Sequence, residues 1–338
     1  MSPSVAPEIS ILLPAFDAER TIVAALRSVQ RQSESRWECV VVDDGSQDGT
    51  RELVSGVARS DQRVRLVARE HAGIVAALQA GLAECRAPLV ARMDADDLMA
   101  RQRLELQRRE LERCPELVAV GCHVRLFPRR HLRDGLIDYE RWLGSIATPE
   151  DVAREAFVEC PVAHPTLLIR RDALSELGYR DLGWPEDYDL LLRLLEAGAR
   201  VGMVPRRLLH WRDGPSRLSR TSSRYSIRAF VECKAEFLAR GFLKQSEQYL
   251  LWGFGDTGKA LAEALARRGK RPAAIIELHP RRFGQLIRGV RVVAPEALPS
   301  LPRLPLLVSV AGLVARSQIR AALCGMGFAE GTDYVCAA

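Results

Sequence analysis

The stretch EISILLPAFDAERTIVAALRSVQRQSESRWECVVVDDGSQDGT, residues 8–50, contains a strand, a helix, a second strand and a turn. EISILLP is an apolar run of strand length. In ERTIVAALRSVQRQ, Ile22, Ala25, Leu26 and Val29 recur at helical spacing. WECVVV is apolar again, and DDGSQDGT closes it with turn-forming residues. The alternation continues through RELVSGVARS (helix), VRLVAR (strand), AGIVAALQAGLAEC (helix), APLVARM (strand) and the charged helix RQRLELQRRELERC. Strands alternating with helices of this length predict βαβ units and a mainly parallel α/β sheet. Ligands of such sheets bind outside the carboxyl ends of the strands.

Two acidic turns fall at such ends, DDGS at 43–46 and MDADD at 93–97. Asp94, Asp96 and Asp97 put three carboxylates into four positions, and like charges repel. Either water solvates them as a plain turn, or a cation sits there. The plain reading has a physical basis, because LMARQRLELQ follows and carboxylates favour a helix N-terminus. DDGS reads equally as a strand-ending turn.

The chain has 338 residues, a length that suits two domains. Its net charge is +6, and the positive charge is almost all arginine, with lysine only at Lys234, Lys244, Lys259 and Lys270. Arginine suits carboxylate and phosphate recognition, although genome composition produces the same bias. The charge permits contact with anionic substrates or a lipid surface, and no nucleic-acid partner is expected. MSPSVAPEIS lacks a basic-then-apolar signal pattern. The longest uncharged apolar run, Leu304–Ala315, contains Pro305 and is too short to span a bilayer. Eight scattered cysteines without a C-x-x-C point to a reducing compartment. The expectation is a cytoplasmic protein, with peripheral contact at the inner face of a membrane and homo-oligomer formation left open.

Residues 117–165 look less regular, and HVRLFPRRHLRDG reads as a surface excursion over the site or a solvated loop. CPVAHPTLLIRRDALSELGY is a strand followed by a helix. GWPEDYDLLLRLLEAG is a helix that starts at Glu186 and Asp187. ARVGMVP is a short strand, and HWRDGPSRLSRTSSRYS reads as a mobile loop. A helical stretch, RYSIRAFVECKAEFLARGFL, then leads away and the strand–helix pattern restarts. The expected division is a first domain at 8–220, a helical linker at 221–247 and a second domain at 248–338.

The combination ILLPAFDAERTIVAALRSVQRQ, ECVVVDDGSQDGT, ARMDADD and PEDYDLLLRLL resembles the family 2 glycosyltransferases over roughly residues 8–215. The resemblance implies a GT-A fold, a nucleotide-diphosphate sugar donor, a glycan or lipid-linked acceptor and inversion at the anomeric carbon. It assigns Asp96 to a Mn2+ or Mg2+ ion and Asp94 to the metal or a ribose, with Asp97 orienting the turn. Pro14, Ala15 and Phe16 match the segment lining the base pocket, and Asp44 matches the position that contacts the base. Phe16 and Asp17 replace a common tyrosine and asparagine. His71 stands where asparagine is usual, and Ala77-Leu78-Gln79 lacks the usual Arg-Asn pair. Glu186-Asp187 matches the family's acidic pair, with Asp187 as the base and Glu186 binding acceptor or supporting the loop; as plain structure the pair is a helix N-cap. Some family members supply a metal-ligating or phosphate-binding histidine from the region of His210, a position equally readable as a loop or core residue. Trp184 is a candidate for stacking on a sugar, His164 for lining the acceptor side, and Arg212, Arg217 and Arg220 for a lid over the diphosphate.

In the second domain, WGFGDTGKALAEALARRG carries Gly253, Gly255 and Gly258 as G-x-G-x-x-G between a strand and a helix. In that context the motif has phosphate-binding meaning. Glu277 ends the next strand, where an acidic residue would hold a ribose. This part resembles small Rossmann-like nucleotide-binding domains and reads as a degenerate or regulatory module with a second nucleotide as candidate ligand; a structural or dimerising domain that keeps the glycines for close helix–strand packing would also explain them. Two other readings stand beside the transferase: a non-catalytic nucleotide-sugar-binding or regulatory protein, and a nucleotidyltransferase. The last requires a Gly- and Arg-rich loop after the first strand, which FDAERTIVAAL does not provide.

Overall fold

The computed structural model describes residues 6–215 and 217–338. Residues 1–5 of the N-terminal stretch and Ser216 of the Arg-rich segment lie outside the described residues. The chain divides into two compact units. One holds the residues up to Val152 with Val162–Leu182 and Arg193–Arg217; the other holds Ala153–Pro161, Gly183–Leu192 and Leu218–Ala338.

The first unit is built on eight strands: β1 (Ile9–Ala15), β2 (Trp37–Asp43), β3 (Val64–Ala68), β4 (Leu89–Arg92), β5 (Leu98–Met99), β6 (Leu117–Phe127), β7 (Leu168–Arg170) and β8 (Arg200–Arg212), in the order β3-β2-β1-β4-β7-β6-β8-β5. The first four pair in parallel, as the alternating pattern predicts, and β7 then joins β4 antiparallel. Every residue of β1 and β2 is buried. Strands covered on both faces read as continuous apolar runs, which is why they are plain in the sequence. The polar exceptions are paired: Ser10 Oγ donates to Glu38 Oε1 at 2.7 Å, and Arg65 lies 3.2 Å from Glu38. The helix Ile22–Gln30 buries Ile22, Ala25, Leu26 and Val29, the four residues at helical spacing.

Two expectations need correction. Leu117–Phe127 opens the stretch read as irregular, yet it is the 11-residue strand β6. ARVGMVP is only the start of β8, which runs 13 residues and takes in His210, Trp211 and Arg212 from the supposed loop. The register of the β6–β8 pair slips where Cys122 faces Val204 and His123 faces Arg207. Pro205 lies in the skipped segment. It has no N–H to give the ladder, so the strand bulges there and then resumes.

The second unit carries β9 (Gln248–Trp252), β10 (Arg271–Ile276), β11 (Leu286–Ile287), β12 (Val290–Val293), β13 (Leu306–Val308) and β14 (Tyr334–Cys336), in the order β11-β12-β10-β9-β13-β14. All neighbours are parallel except β11–β12. Alternation along β9 divides the core: Tyr249 and Leu251 belong to one apolar cluster, Leu250 and Trp252 to the other. The helix Ile227–Arg240, within the segment read as a linker, contributes Val231, Ala235 and Leu238 to the first of these clusters. Among the described residues no disulfide joins the eight cysteines, and no helix is long and apolar enough to cross a membrane.

Candidate active site

In the first unit Ala15 pairs with Asp43 and Asp43 with Ala68, while β4 ends at Arg92 opposite Leu12. Pro14–Phe16, Asp44 and Asp94–Asp97 therefore leave the sheet at its carboxyl edge, where parallel sheets bind ligands.

Asp94, Asp96 and Asp97 converge there. One carboxylate oxygen from each lies within 4.8 Å of the others. Asp97 is fully buried. Its Oδ1 accepts the backbone N–H of Arg212 at 2.7 Å, and its buried Oδ2 has no partner. Burial, with Asp94 next, pushes Asp96 up to about 6. Burial and both neighbouring carboxylates push Asp97 well above the usual carboxylate range. Three converging carboxylates with an unmatched buried oxygen fit a hard divalent cation, which prefers oxygen donors.

Arginines frame the cluster. Arg92, 5 % exposed, donates from Nη2 to Asp94 Oδ1 at 2.6 Å and from Nη1 to the carbonyl of Met93. Arg212 Nε donates to the carbonyl of Asp96 at 2.7 Å, and its guanidinium lies 4.5 Å from the Phe127 ring centre. Arg217 lies over Trp211 at 4.3 Å. Arg212 and Arg217 are thus packed on aromatic rings and both draw the Asp96 pKa down. Arg220 belongs to the other unit, on the short helix Leu218–Thr221. His210 is not part of the carboxylate cluster. It lies on β8 opposite Leu98, exposed, with its ring edge-on to Phe127 at 6.3 Å.

Beneath the turn lies a network that sequence reading missed. Arg103, on the helix Arg103–Arg113, is fully buried, donating from Nη2 to the carbonyl of Arg92 (2.9 Å) and from Nε to Gln107 Oε1 (3.0 Å). Gln107 Nε2 in turn donates to the carbonyls of Val120 (2.9 Å) and Thr166 (2.7 Å). The run RQRLELQRRELERC carries so much charge that nothing marks one arginine as buried.

The DDGS turn is joined to the 69–73 loop. Asp44 is 3 % exposed; its carboxylate accepts N–H bonds from Gly73 (2.8 Å) and Ala72 (3.2 Å) and lies 2.9 Å from His71 Nδ1. Gly45 has φ +78°, and a Cβ there would come within 2.7 Å of the His71 nitrogen, so glycine is required. Phe16, 46 % exposed, leans on the His71 ring with centroids 4.3 Å apart. Asp17 has φ +47°, a conformation that aspartate tolerates; its Oδ1 accepts from the Gln47 N–H at 2.8 Å.

In the second unit Glu186 and Asp187 open the helix Glu186–Glu196. Glu186 is 2 % exposed and accepts the Tyr225 hydroxyl at 2.8 Å. Burial first, then the Glu186 charge, pushes Asp187 up to about 7. Trp184 donates from Nε1 to Asp189 Oδ1 at 3.2 Å. His164, in the first unit, is buried, with Nε2 3.0 Å from the Tyr179 hydroxyl; it is a core residue, not one exposed to an acceptor. Gly253, Gly255 and Gly258 form the turn after β9, and Glu277 follows β10.

The sheet order, with an acidic turn after its fourth strand, defines an α/β protein of the GT-A type. The architecture matches that of Staphylococcus aureus TarS in complex with UDP, with TM-score 0.55 and 17% identity over 77% of this chain and 71% of that one. It also matches a mannosyltransferase from Pyrobaculum calidifontis in complex with GDP-Man and Mn2+, with TM-score 0.50 and 19% identity over 96% of this chain and 82% of that one. In sequence the chain is 30% identical over 227 residues to a putative glycosyltransferase, EpsE, of Bacillus subtilis, covering 65% of this chain and 78% of the relative. Residues 10–178 match the family described as Glycosyl transferase family 2, and the chain belongs to that family. It is a glycosyltransferase.

Proposed function

We propose that the enzyme is an inverting, metal-dependent transferase that moves a sugar from a nucleotide diphosphate to a hydroxyl of a glycan or lipid-linked acceptor. The observation that carries this reading is the convergence of Asp94, Asp96 and Asp97, with one buried oxygen of Asp97 left unmatched. Asp94 and Asp96 are the proposed ligands of Mn2+ or Mg2+, with Asp97 behind them. When bound, such an ion stabilises the negative charge that grows on the departing diphosphate.

Asp187 is the proposed base. It takes the proton of the acceptor hydroxyl as that oxygen attacks the anomeric carbon from the face opposite the diphosphate. One carbon–oxygen bond forms, the bond to the diphosphate breaks, and the configuration inverts. A carboxylate pushed up to about 7 suits this role, because a general base works best with a pKa near the operating pH. Glu186, held by Tyr225, stands beside it and is the second cause, after burial, of the raised Asp187 pKa. Phe16 and His71 offer an exposed pair of rings for the donor base, and Asp44 supports them by holding the 69–73 loop. In this reading the enzyme works in the cytoplasm and meets lipid-linked acceptors at a membrane surface.

The test is turnover with and without EDTA, with the anomeric configuration of the product read by NMR. Inversion and loss of turnover on chelation support the reading. A retained configuration, or turnover indifferent to EDTA, contradicts it.

A further inference from the structure

The glycosyl-transfer reading leaves the sheet β9–β14 without a role, yet it carries a cleft of about 580 Å3. That volume is within the range of small-molecule sites, ~300–1,000 Å3. The cleft opens at the carboxyl end of β9, which has β10 on one side and β13 on the other. This is the point where the strand order reverses, the usual ligand position in an open α/β sheet.

The glycines of the turn have steric reasons. A Cβ on Gly258 would come within 2.2 Å of the Gly253 carbonyl oxygen, so the 11-residue helix Asp256–Ala266 starts hard against β9. Gly255 and Asp256, at the start of that helix, are exposed, and a Cβ on Gly255 would meet nothing within 4 Å. Glu277 lines the same cleft. Its Oε1 accepts the Phe254 N–H at 3.0 Å and an Arg282 N–H at 3.1 Å. Both bonds are on one oxygen, which leaves Oε2 for a ligand.

One further group points to an occupant. Ser309 lines the cleft, and its hydroxyl (residue 5 % exposed) is buried and has no hydrogen-bond partner. Ser309 Oγ lies beside the glycine turn, 3.3 Å from where a Gly258 Cβ would stand. Buried polar groups are nearly always bonded, and one without a partner costs stability unless a ligand supplies it.

We propose that this cleft is a second nucleotide site. It takes the diphosphate of a nucleotide on the amides that open the helix Asp256–Ala266 and on Ser309 Oγ, and a ribose hydroxyl on Glu277 Oε2. Helix N-termini favour such anions. The site is independent of the Asp94–Asp97 cluster and uses no metal. A free nucleoside diphosphate, a nucleotide sugar and a dinucleotide all offer this chemistry.

The experiment is calorimetric titration of the full chain in EDTA with ADP, UDP-GlcNAc and NAD+, for wild type, Asp96→Ala, Ser309→Ala and Glu277→Gln. At least one probe is expected to bind once per chain, equally in wild type and Asp96→Ala, and which probe binds identifies the source. Ser309→Ala is expected to weaken that binding about tenfold, the size of one lost hydrogen bond, while its Tm is unchanged or higher because an unpaired hydroxyl is gone. Glu277→Gln is expected to weaken it similarly. The proposal is overturned if no probe binds, if Asp96→Ala abolishes binding, or if Ser309→Ala and Glu277→Gln leave it unaltered.

Discussion

The backbone N–H of Arg212 donates to Asp97 Oδ1 at 2.7 Å, joining the end of β8 to the acidic turn that follows β4. This bond satisfies one oxygen of a fully buried carboxylate and leaves the other, Oδ2, without a partner. Asp97 is therefore a costly residue in the metal-free protein.

The cost gives Asp97→Asn two effects of opposite sign. Asparagine keeps an oxygen for the Arg212 N–H but removes a buried charge beside Asp94 and Asp96. The metal-free variant is expected to be more stable than wild type, on the order of 1–3 kcal/mol. Its Mn2+ affinity is expected to fall roughly 10–100-fold, the usual effect of losing a group that supports metal ligands. Urea unfolding in EDTA and a Mn2+ titration check the two parts separately.

Asp187→Asn is expected to lower kcat by about 10²–10⁴-fold, the typical contribution of a general base, while donor affinity is preserved. The base must be deprotonated, so wild-type kcat/KM is expected to rise with pH through an apparent pKa of about 7. A pH–rate profile of both proteins shows whether the residual activity of the variant has lost that limb.

Arg103 supports the acidic turn from below through the carbonyl of Arg92. Arg103→Met would leave that carbonyl and Gln107 Oε1 without their donor, at a cost on the order of 1–3 kcal/mol for each orphaned group. Arg103→Lys is expected to restore little of this, because a single ammonium cannot reproduce the guanidinium fork. Denaturant unfolding of both variants measures the difference.

His164 makes stability depend on pH. Burial, assisted by the Arg92 charge, holds its pKa well below 6.5, so the folded protein keeps the ring neutral. The unfolded chain binds a proton as pH falls through 6.5, and the folded chain does not. Stability is therefore full above pH 6.5 and is lost below it. His164→Gln is expected to show a shallower loss between pH 6.5 and 5 than wild type by thermal unfolding. The variant comparison removes the opposing contribution of Asp96, Asp97 and Asp187, whose raised pKa values favour the folded state as pH falls.

Legibility followed burial pattern. β1, β2 and the helix between them are plain because their apolar residues form a continuous run or a single stripe. The ends of β2 and β4 are plain because Asp43–Gly45 and Asp94–Asp97 interrupt the apolar runs with charge. β6 and β8 were obscured because they mix His123, Arg125, Pro205, Arg206 and Arg207 into their apolar residues, and a bulge breaks the period of two. Asp94, Asp96 and Asp97 were readable as a unit because they are adjacent in sequence. Arg92 and Arg103 were not, because their importance comes from burial under the turn, and burial of a single arginine leaves no trace in the pattern.

The central claim is that Asp94–Asp97 hold a cation needed for donor binding. Purified protein titrated with a panel of nucleotide sugars, with Mn2+ and with EDTA, beside Asp96→Ala, tests it directly. The expected result is one preferred donor with a Mn2+-dependent binding event that is absent in EDTA and absent from Asp96→Ala under either condition, separate from any metal-independent binding at the β9 cleft, which persists in both. Absence of a Mn2+-dependent event for every donor, or an Asp96→Ala variant that keeps that event, would contradict the claim and leave MDADD as an acidic turn.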